Sequence, residues 1–161
     1  MEKRSYTSPL GEIILAAHAG ALGGLWFKGQ KYEQAGLEKL PAQPDGRGED
    51  KAVLDEAARW LDEYFDGRTP AIAFPLAPQG TDFQKRVWAE LRAIPYGETA
   101  TYGALAGRVG CRSARAVGAA VGRNPISILI PCHRLVGTNG SLTGYAGGLE
   151  RKKALLNLEK G

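Results

Sequence analysis

The strongest constraint on the fold lies between Thr101 and Arg123. Thr101 begins a short helical pattern that runs to Val109 and is stopped by Gly110. Cys111-Arg112 leaves room only for a tight connection, and Ser113 is placed to cap another helix through about Arg123. Helix, brief glycine-containing turn, helix is the helix-turn-helix outline. The second helix, SARAVGAAVGRN, is rich in Ala and Gly, and only Arg115 and Arg123 are long enough to reach far. Such a helix suits close approach to a backbone or a narrow groove better than base reading in the major groove. Tight packing against a neighbouring helix is the alternative use of the same residues.

Charge points the same way. Residues 1–80 hold 9 Lys+Arg against 12 Asp+Glu, whereas residues 81–161 hold 12 against 5. From Thr99 to Leu149 there is no Asp, Glu or Lys, but there are five arginines, at 108, 112, 115, 123 and 134. A merely solvated surface mixes its signs, so this stretch suggests a polyanionic partner, and arginine fits phosphate or base contacts. With 43% hydrophobic and 24% charged residues over 161, the chain is globular in composition rather than disordered. No apolar run approaches the roughly 20 residues of a membrane span, and Ile13 to Ala17 is too short for a secretory core. Two cysteines build no disulfide framework, so we expect a soluble, cytoplasmic protein.

The first half reads as strands followed by a helix. Ile13 to Ala17 and Leu22 to Phe27, separated by Ala19-Gly20, predict an antiparallel hairpin after turn chemistry at Thr7 to Gly11. Residues 41–50 (PAQPDGRGED) are a loop by composition, and Lys51 to Asp66 carries apolar residues at helical spacing, stopped by Gly67. Proline-rich Pro70 to Gly80 connects this piece to the second half. There Thr81 and Gln84 form a capping-box pair before a helix that Pro95-Tyr96-Gly97 ends. Ile126 to Ile130 reads as a buried strand. We therefore expect an α/β fold: an N-terminal β-sheet lobe with a flanking helix (1–75), a connection (76–80), and a mainly helical lobe (81–161) containing the helix-turn-helix and the active-site strand.

Cys132 follows that strand, between Pro131 and His133 and among arginines, where positive charge lowers a thiol pKa toward the reactive thiolate. In an extended segment Cys132 and His133 point to opposite sides, so proton transfer between them needs a water or a third residue. Cys111, between the two helices, reads as a buried structural cysteine. His18, amid alanines, reads as a strand or turn residue.

These segments also carry a specific resemblance. IPCHRLVG (130–137) and GYAGGLERKKALLNLE (144–159) resemble the active-site signature of the O6-alkylguanine-DNA alkyltransferases. FQKRVWAELRAIPYGETATYGALA (83–106) and SARAVGAAVGRNPISILIPCHR (113–134) resemble the same family in order and spacing. The match covers nearly all of 81–161, while 1–80 fits only loosely. The resemblance implies that Cys132 accepts the alkyl group, and that His133 acts as base through a water and is oriented by Glu159. It implies that Tyr102 hydrogen-bonds the departing guanine and pushes on the target's phosphate, that Arg115 enters the duplex in place of the flipped nucleotide, and that Asn124 braces the turn before the active-site strand. Ser113, Ala114 and Arg123 belong to the implied DNA-contacting helix. Carbonyls of Cys132 and Leu135 are implied to accept from the guanine amino group, with Tyr145, Val121 and Ala146 walling the pocket.

The implied partner is double-stranded DNA carrying alkylated guanine, approached from the minor-groove side, with no membrane. The implied activity is irreversible, single-turnover transfer from O6-alkylguanine, and from O4-alkylthymine, by a methylated-DNA–protein-cysteine methyltransferase. It requires no cofactor and no metal, and proceeds in a monomer whose cooperative assembly on DNA stays open. Two features depart from the family. Ala146 stands where some relatives have a serine, and the zinc ligands of some N-terminal lobes are missing. No residue precedes Met1, so the fused metal-binding regulatory module of other relatives is not expected. A non-catalytic lesion-binding protein is the first rival reading. A cysteine hydrolase is the second, and it leaves the acid-free arginine stretch unexplained.

Overall fold

A computed structural model describes residues 1–35 and 48–161. Its N-terminal part is an antiparallel sheet in the order β1 (Glu2–Ser8), β2 (Gly11–His18), β3 (Ala21–Phe27). The expected hairpin is β2–β3, with Ala19 and Gly20 both at positive φ in its turn and His18 ending β2. Composition did not signal β1, because EKRSYTS is polar and lies on the edge of the sheet with only Ser8 buried. Helix α1 (Glu49–Phe65) packs on the sheet through Val53, Leu54, Ala57, Leu61 and Tyr64. It begins earlier than its periodicity suggests, so Glu49 and Asp50 of the expected loop are helical; residues 41–47 of that loop lie outside the described residues.

The free edge of β3 is covered by the rest of the chain. Leu22 exchanges backbone hydrogen bonds with Pro75 and Ala77, and Leu25 with Pro125 and Ser127, each at 2.8–2.9 Å. The sheet is thereby joined both to the proline-rich connection and to the segment leading to Cys132. Leu22, Leu25 and Phe27 share one hydrophobic cluster with Val87, Trp88, Leu105, Val117, Ile130 and Leu155.

Helix α2 (Asp82–Arg92) starts with the complete Thr81/Gln84 capping box. A two-residue strand, β4 (Ala100–Thr101), runs directly into α3 (Tyr102–Val109), which Thr101 caps and which Gly110 ends in the left-handed conformation. Ser113 caps α4 (Ala114–Gly122), completing the helix-turn-helix. Cys111 at its turn is only half-buried, not the interior residue expected. On α4, Val117, Ala120 and Val121 face the core, whereas a Cβ added at Gly118 or Gly122 would meet nothing within 4 Å. Gly118 and Gly122 therefore open a surface, while Ala120 on the other face serves close packing, its carbonyl accepting from Trp88 Nε1 at 2.8 Å.

The expected strand Ile126–Ile130 is absent. Only Ile126 bridges to Leu25, and the chain then winds through consecutive turns with Ile128 at φ 72°, a conformation unfavourable for a β-branched residue. Strand β5 (Leu135–Val136) pairs in parallel with β4, and α5 (Leu149–Lys160) completes the chain. No helix among the described residues is long and apolar enough to cross a membrane.

Candidate active site and nucleic-acid interface

Parallel pairing of β4 with β5 sets Tyr102, at the start of α3, beside the segment that follows Cys132. Cys132, His133 and Arg134 form a 3-10 turn rather than an extended run, and all three are buried. Asn124 fixes the approach to that turn. Its amide donates to the Ile130 carbonyl at 2.8 Å and to Cys132 Sγ at 3.3 Å, while its oxygen accepts from Ile126 N–H at 3.0 Å. One side chain thus spans the whole loop, including the strained Ile128, and ends on the thiol.

Behind the thiol lies a connected polar network. His133 Nε2 is 2.6 Å from Glu159 Oε2, which also accepts from the Tyr64 hydroxyl at 2.6 Å. Arg134 donates through Nε and Nη2 to Glu159 at 2.8 and 3.2 Å and through Nη1 to the Ile94 carbonyl at 2.6 Å. Burial alone would raise the Glu159 carboxyl, but hydrogen bonds from His133, Arg134 and Tyr64 outweigh it and hold the group ionised, well below the usual carboxylate range. Burial pushes His133 down, so it rests as the neutral imidazole. With Nε2–H directed at the carboxylate, Nδ1 carries the free lone pair, and among the described residues it has no hydrogen-bond partner.

The sequence reading of the thiol's electrostatics requires correction. Burial pushes Cys132 up to about 11, despite the opposing Asn124 hydrogen bond and the charge of Lys152. The neighbouring arginine does not help, because Arg134 is spent on Glu159. The cation that acts on the thiol is Lys152, which is fully buried and donates to the Thr143 carbonyl at 3.1 Å. Sequence reasoning missed both Lys152 and Tyr64. A signal for Lys152 was present: Lys152, Leu155, Leu156 and Glu159 follow the i, i+3, i+4, i+7 spacing of one buried helix face.

Cys132 opens onto a cleft of about 490 Å³ lined by Tyr102, Val121, Tyr145 and Ala146 among others, with Gly118, Ala119 and Gly122 of α4 along one side. Ser113, Ala114 and Arg115 lie outside it, exposed at the start of α4, and Arg123 is exposed at the far end of that helix and lines the cleft. Leu135 is fully buried, pairs with Ala100 in the β4–β5 ladder and is not among the residues lining the cleft. Of the five arginines in the acid-free stretch, 108, 112, 115 and 123 are exposed, while Arg134 is removed from the surface. Among the described residues no group of three potential ligands is positioned for a metal ion.

A helix-turn-helix with an open small-residue face, set beside a cleft that ends on a buried thiol, defines a nucleic-acid-associated thiol protein. Comparison with known proteins makes the class specific. Residues 82–161 match the DNA binding domain of 6-O-methylguanine DNA methyltransferase, and residues 1–78 match its ribonuclease-like domain. The methylated-DNA–protein-cysteine methyltransferase of Mycobacterium leprae is 47% identical over 158 residues, covering 98% of this chain and 91% of that protein. Its counterpart from Methanosarcina acetivorans is 46% identical, covering 96% and 95% of the two chains. The crystal structure of Mycobacterium tuberculosis OGT in complex with DNA superposes with a TM-score of 0.84 at 42% identity, covering 99% of this chain and 93% of that one. The chain belongs to the 6-O-methylguanine DNA methyltransferase family.

Proposed function

We propose that this protein repairs DNA by moving the alkyl group from O6 of an alkylated guanine onto its own Cys132. The observation that carries the reading is the thiol itself: it ends a cleft beside the helix-turn-helix, and a neutral histidine held by an ionised glutamate lies next to it. The names of the relatives and the DNA complex of the M. tuberculosis protein support it.

A base inside a duplex cannot present its O6 substituent to a buried sulfur, so the nucleotide must leave the stack at a cost of a few kcal/mol. Arg115 fills the gap, and the small face of α4 lets the backbone approach the minor groove. Tyr145 and Val121 hold the guanine plane, and the Cys132 and Leu135 carbonyls accept from its amino group. Ala146 supplies no hydroxyl to O6. Ser113, Ala114 and Arg123 contact the backbone around the lesion. The Cys132 proton passes through a water to His133 Nδ1, and Glu159 stabilises the imidazolium. The thiolate then attacks the alkyl carbon; the S–C bond forms as the C–O6 bond breaks, and guanine leaves with the bonding pair. Tyr102 hydrogen-bonds the leaving base as charge develops on it, and the base takes up a proton. The thioether has no route back to a thiol, so each molecule acts once. The alkyl–oxygen bond of O4-alkylthymine invites the same displacement.

Incubation with a duplex bearing one O6-methylguanine, followed by peptide mass mapping, tests this directly. The expected result is a gain of one methyl confined to the Cys132 peptide. No gain with retained lesion binding would make the protein a lesion binder instead.

A further inference from the structure

Part of the cleft's lining comes from the N-terminal half of the chain. Lys31 and Tyr32, in the turn after β3, line the same cleft as Cys132, Tyr145 and Ala146. Contacts outside the turn fix it, among them Lys3 Nζ donating to Gln34 Oε1 at 2.6 Å. Lys31 N–H donates to the Ala146 carbonyl at 3.3 Å, and the Arg123 guanidinium lies 3.8 Å from the Tyr32 ring centroid. Inside it, Gln30, Glu33 and Ala35 donate backbone hydrogen bonds to Phe27, Gln30 and Tyr32, with Tyr32 and Gln34 at φ 61° and 57°. Non-glycine residues keep such conformations only where their surroundings over-determine them. The backbone of the turn is therefore held in place, and the arginine that ends α4 lies over the Tyr32 ring and holds it.

Displacement at carbon requires sulfur, carbon and oxygen in line. A methyl group adds no heavy atom beyond that line. Any larger alkyl group must send its extra atoms sideways into the space left by the guanine. In the cleft's lining, Gly118, Ala119 and Gly122 of α4 offer little bulk, and the rings of Tyr102 and Tyr145 are the ones the proposed function gives to the guanine. The other aromatic ring in the lining is that of Tyr32, set against Arg123 at the end of α4. Resting on the reading that Cys132 accepts from O6-alkylguanine, we propose that Tyr32, clamped by Arg123, sets the upper size of the alkyl group this protein removes.

The test compares single-turnover transfer from duplexes bearing one O6-methylguanine or one O6-benzylguanine, and reads the benzyl-to-methyl rate ratio. Tyr32→Ala is expected to raise that ratio by about tenfold or more, the scale on which apolar pockets discriminate size. Tyr32→Phe keeps the ring and should keep the wild-type ratio. Arg123→Gln, which frees the ring, should raise it by a smaller factor, and Tyr32→Leu should fall between Ala and Phe should the Ala variant not fold. An unchanged or lowered ratio in Tyr32→Ala overturns the proposal, as does an equal loss for both substrates, which would make the ring a base-binding wall. Failure of the wild type to accept methyl at all would instead overturn the function on which the proposal rests.

Discussion

Arg134 and Arg115 come from the same acid-free stretch, and the fold uses them in opposite ways. Arg134 is buried, with Nε and Nη2 on Glu159 and Nη1 on the Ile94 carbonyl. Arg115 stands exposed at the start of α4 and makes no ion pair among the described residues. Taking a guanidinium out of water costs several kcal/mol, which only a well-placed counter-charge offsets, so Arg134 and Glu159 are obligatory partners. An exposed guanidinium keeps its hydration and its hydrogen-bonding capacity, so Arg115 remains available for a polyanion. Sequence composition counts the two alike; packing separates a buried ionic network from an exposed, solvated cation.

The sharpest break of this contrast is Arg134→Met. It leaves the Glu159 carboxylate buried without its permanent cation, and should lower unfolding free energy by about 3–5 kcal/mol in urea titration. A loss below about 1 kcal/mol would mean that Glu159 does not depend on Arg134. Glu159→Gln attacks the relay from the other side. Imidazolium on His133 then lacks its counter-ion, and the thiol, pushed up to about 11 by burial, must ionise with less help. Transfer should slow by roughly 10²-fold at neutral pH and recover as pH rises toward the thiol's own value; a parallel pH–rate profile would remove Glu159 from the mechanism. The same group has a stability signature. Its folded-state pKa is depressed, so its contribution is present above the unfolded value of about 4.3 and is lost as pH falls below it. The wild type should therefore lose stability through that acid range more steeply than Glu159→Gln.

Legibility from sequence followed local chemistry. Capping residues and glycine stops marked α2, α3 and α4 because a cap is a contact within a few residues. The β2–β3 hairpin was legible from its apolar runs, whereas β1 was not, since its residues are polar and its place depends on pairing with β2. The apolar run 126–130 was buried as expected but is not a strand. Asn124 and the bridge to β3 hold it in turns instead, and neither restraint has a periodic signature. Cys132, His133, Glu159 and Asn124 do come together. Lys152 and Tyr64, reaching the site from α5 and α1, required knowledge of which helices meet there.

A smaller effect is expected at the helix that bears the exposed arginine. Ser113 accepts from Ala116 N–H at 3.1 Å, and its replacement by alanine removes that cap. Ser113→Ala should cost about 1 kcal/mol in thermal or urea unfolding. It should also weaken duplex binding, because a frayed first turn no longer holds Arg115 in place. Full retention of both would mean that the start of α4 is fixed by packing alone.

Arg115→Ala should change stability least, within about 0.5 kcal/mol, as for other surface substitutions, and its information lies in the transfer rates. If Arg115 only contacts phosphate, the variant should bind all duplexes more weakly by a similar factor, with the salt slope reduced by roughly one. If it fills the vacated stack, its loss should scale with the cost of flipping. Transfer from a fully paired duplex should then fall strongly, while transfer from single-stranded DNA, or from a lesion opposite an abasic site, should fall much less, because little stacking has to be replaced. Arg115→Lys should restore only part of the duplex rate, since an ammonium keeps the charge but cannot present a planar fork to the orphaned base. The deciding quantity is the duplex-to-single-strand rate ratio. An equal ratio in variant and wild type would make Arg115 an ordinary phosphate contact, and its contrast with Arg134 would reduce to exposure against burial.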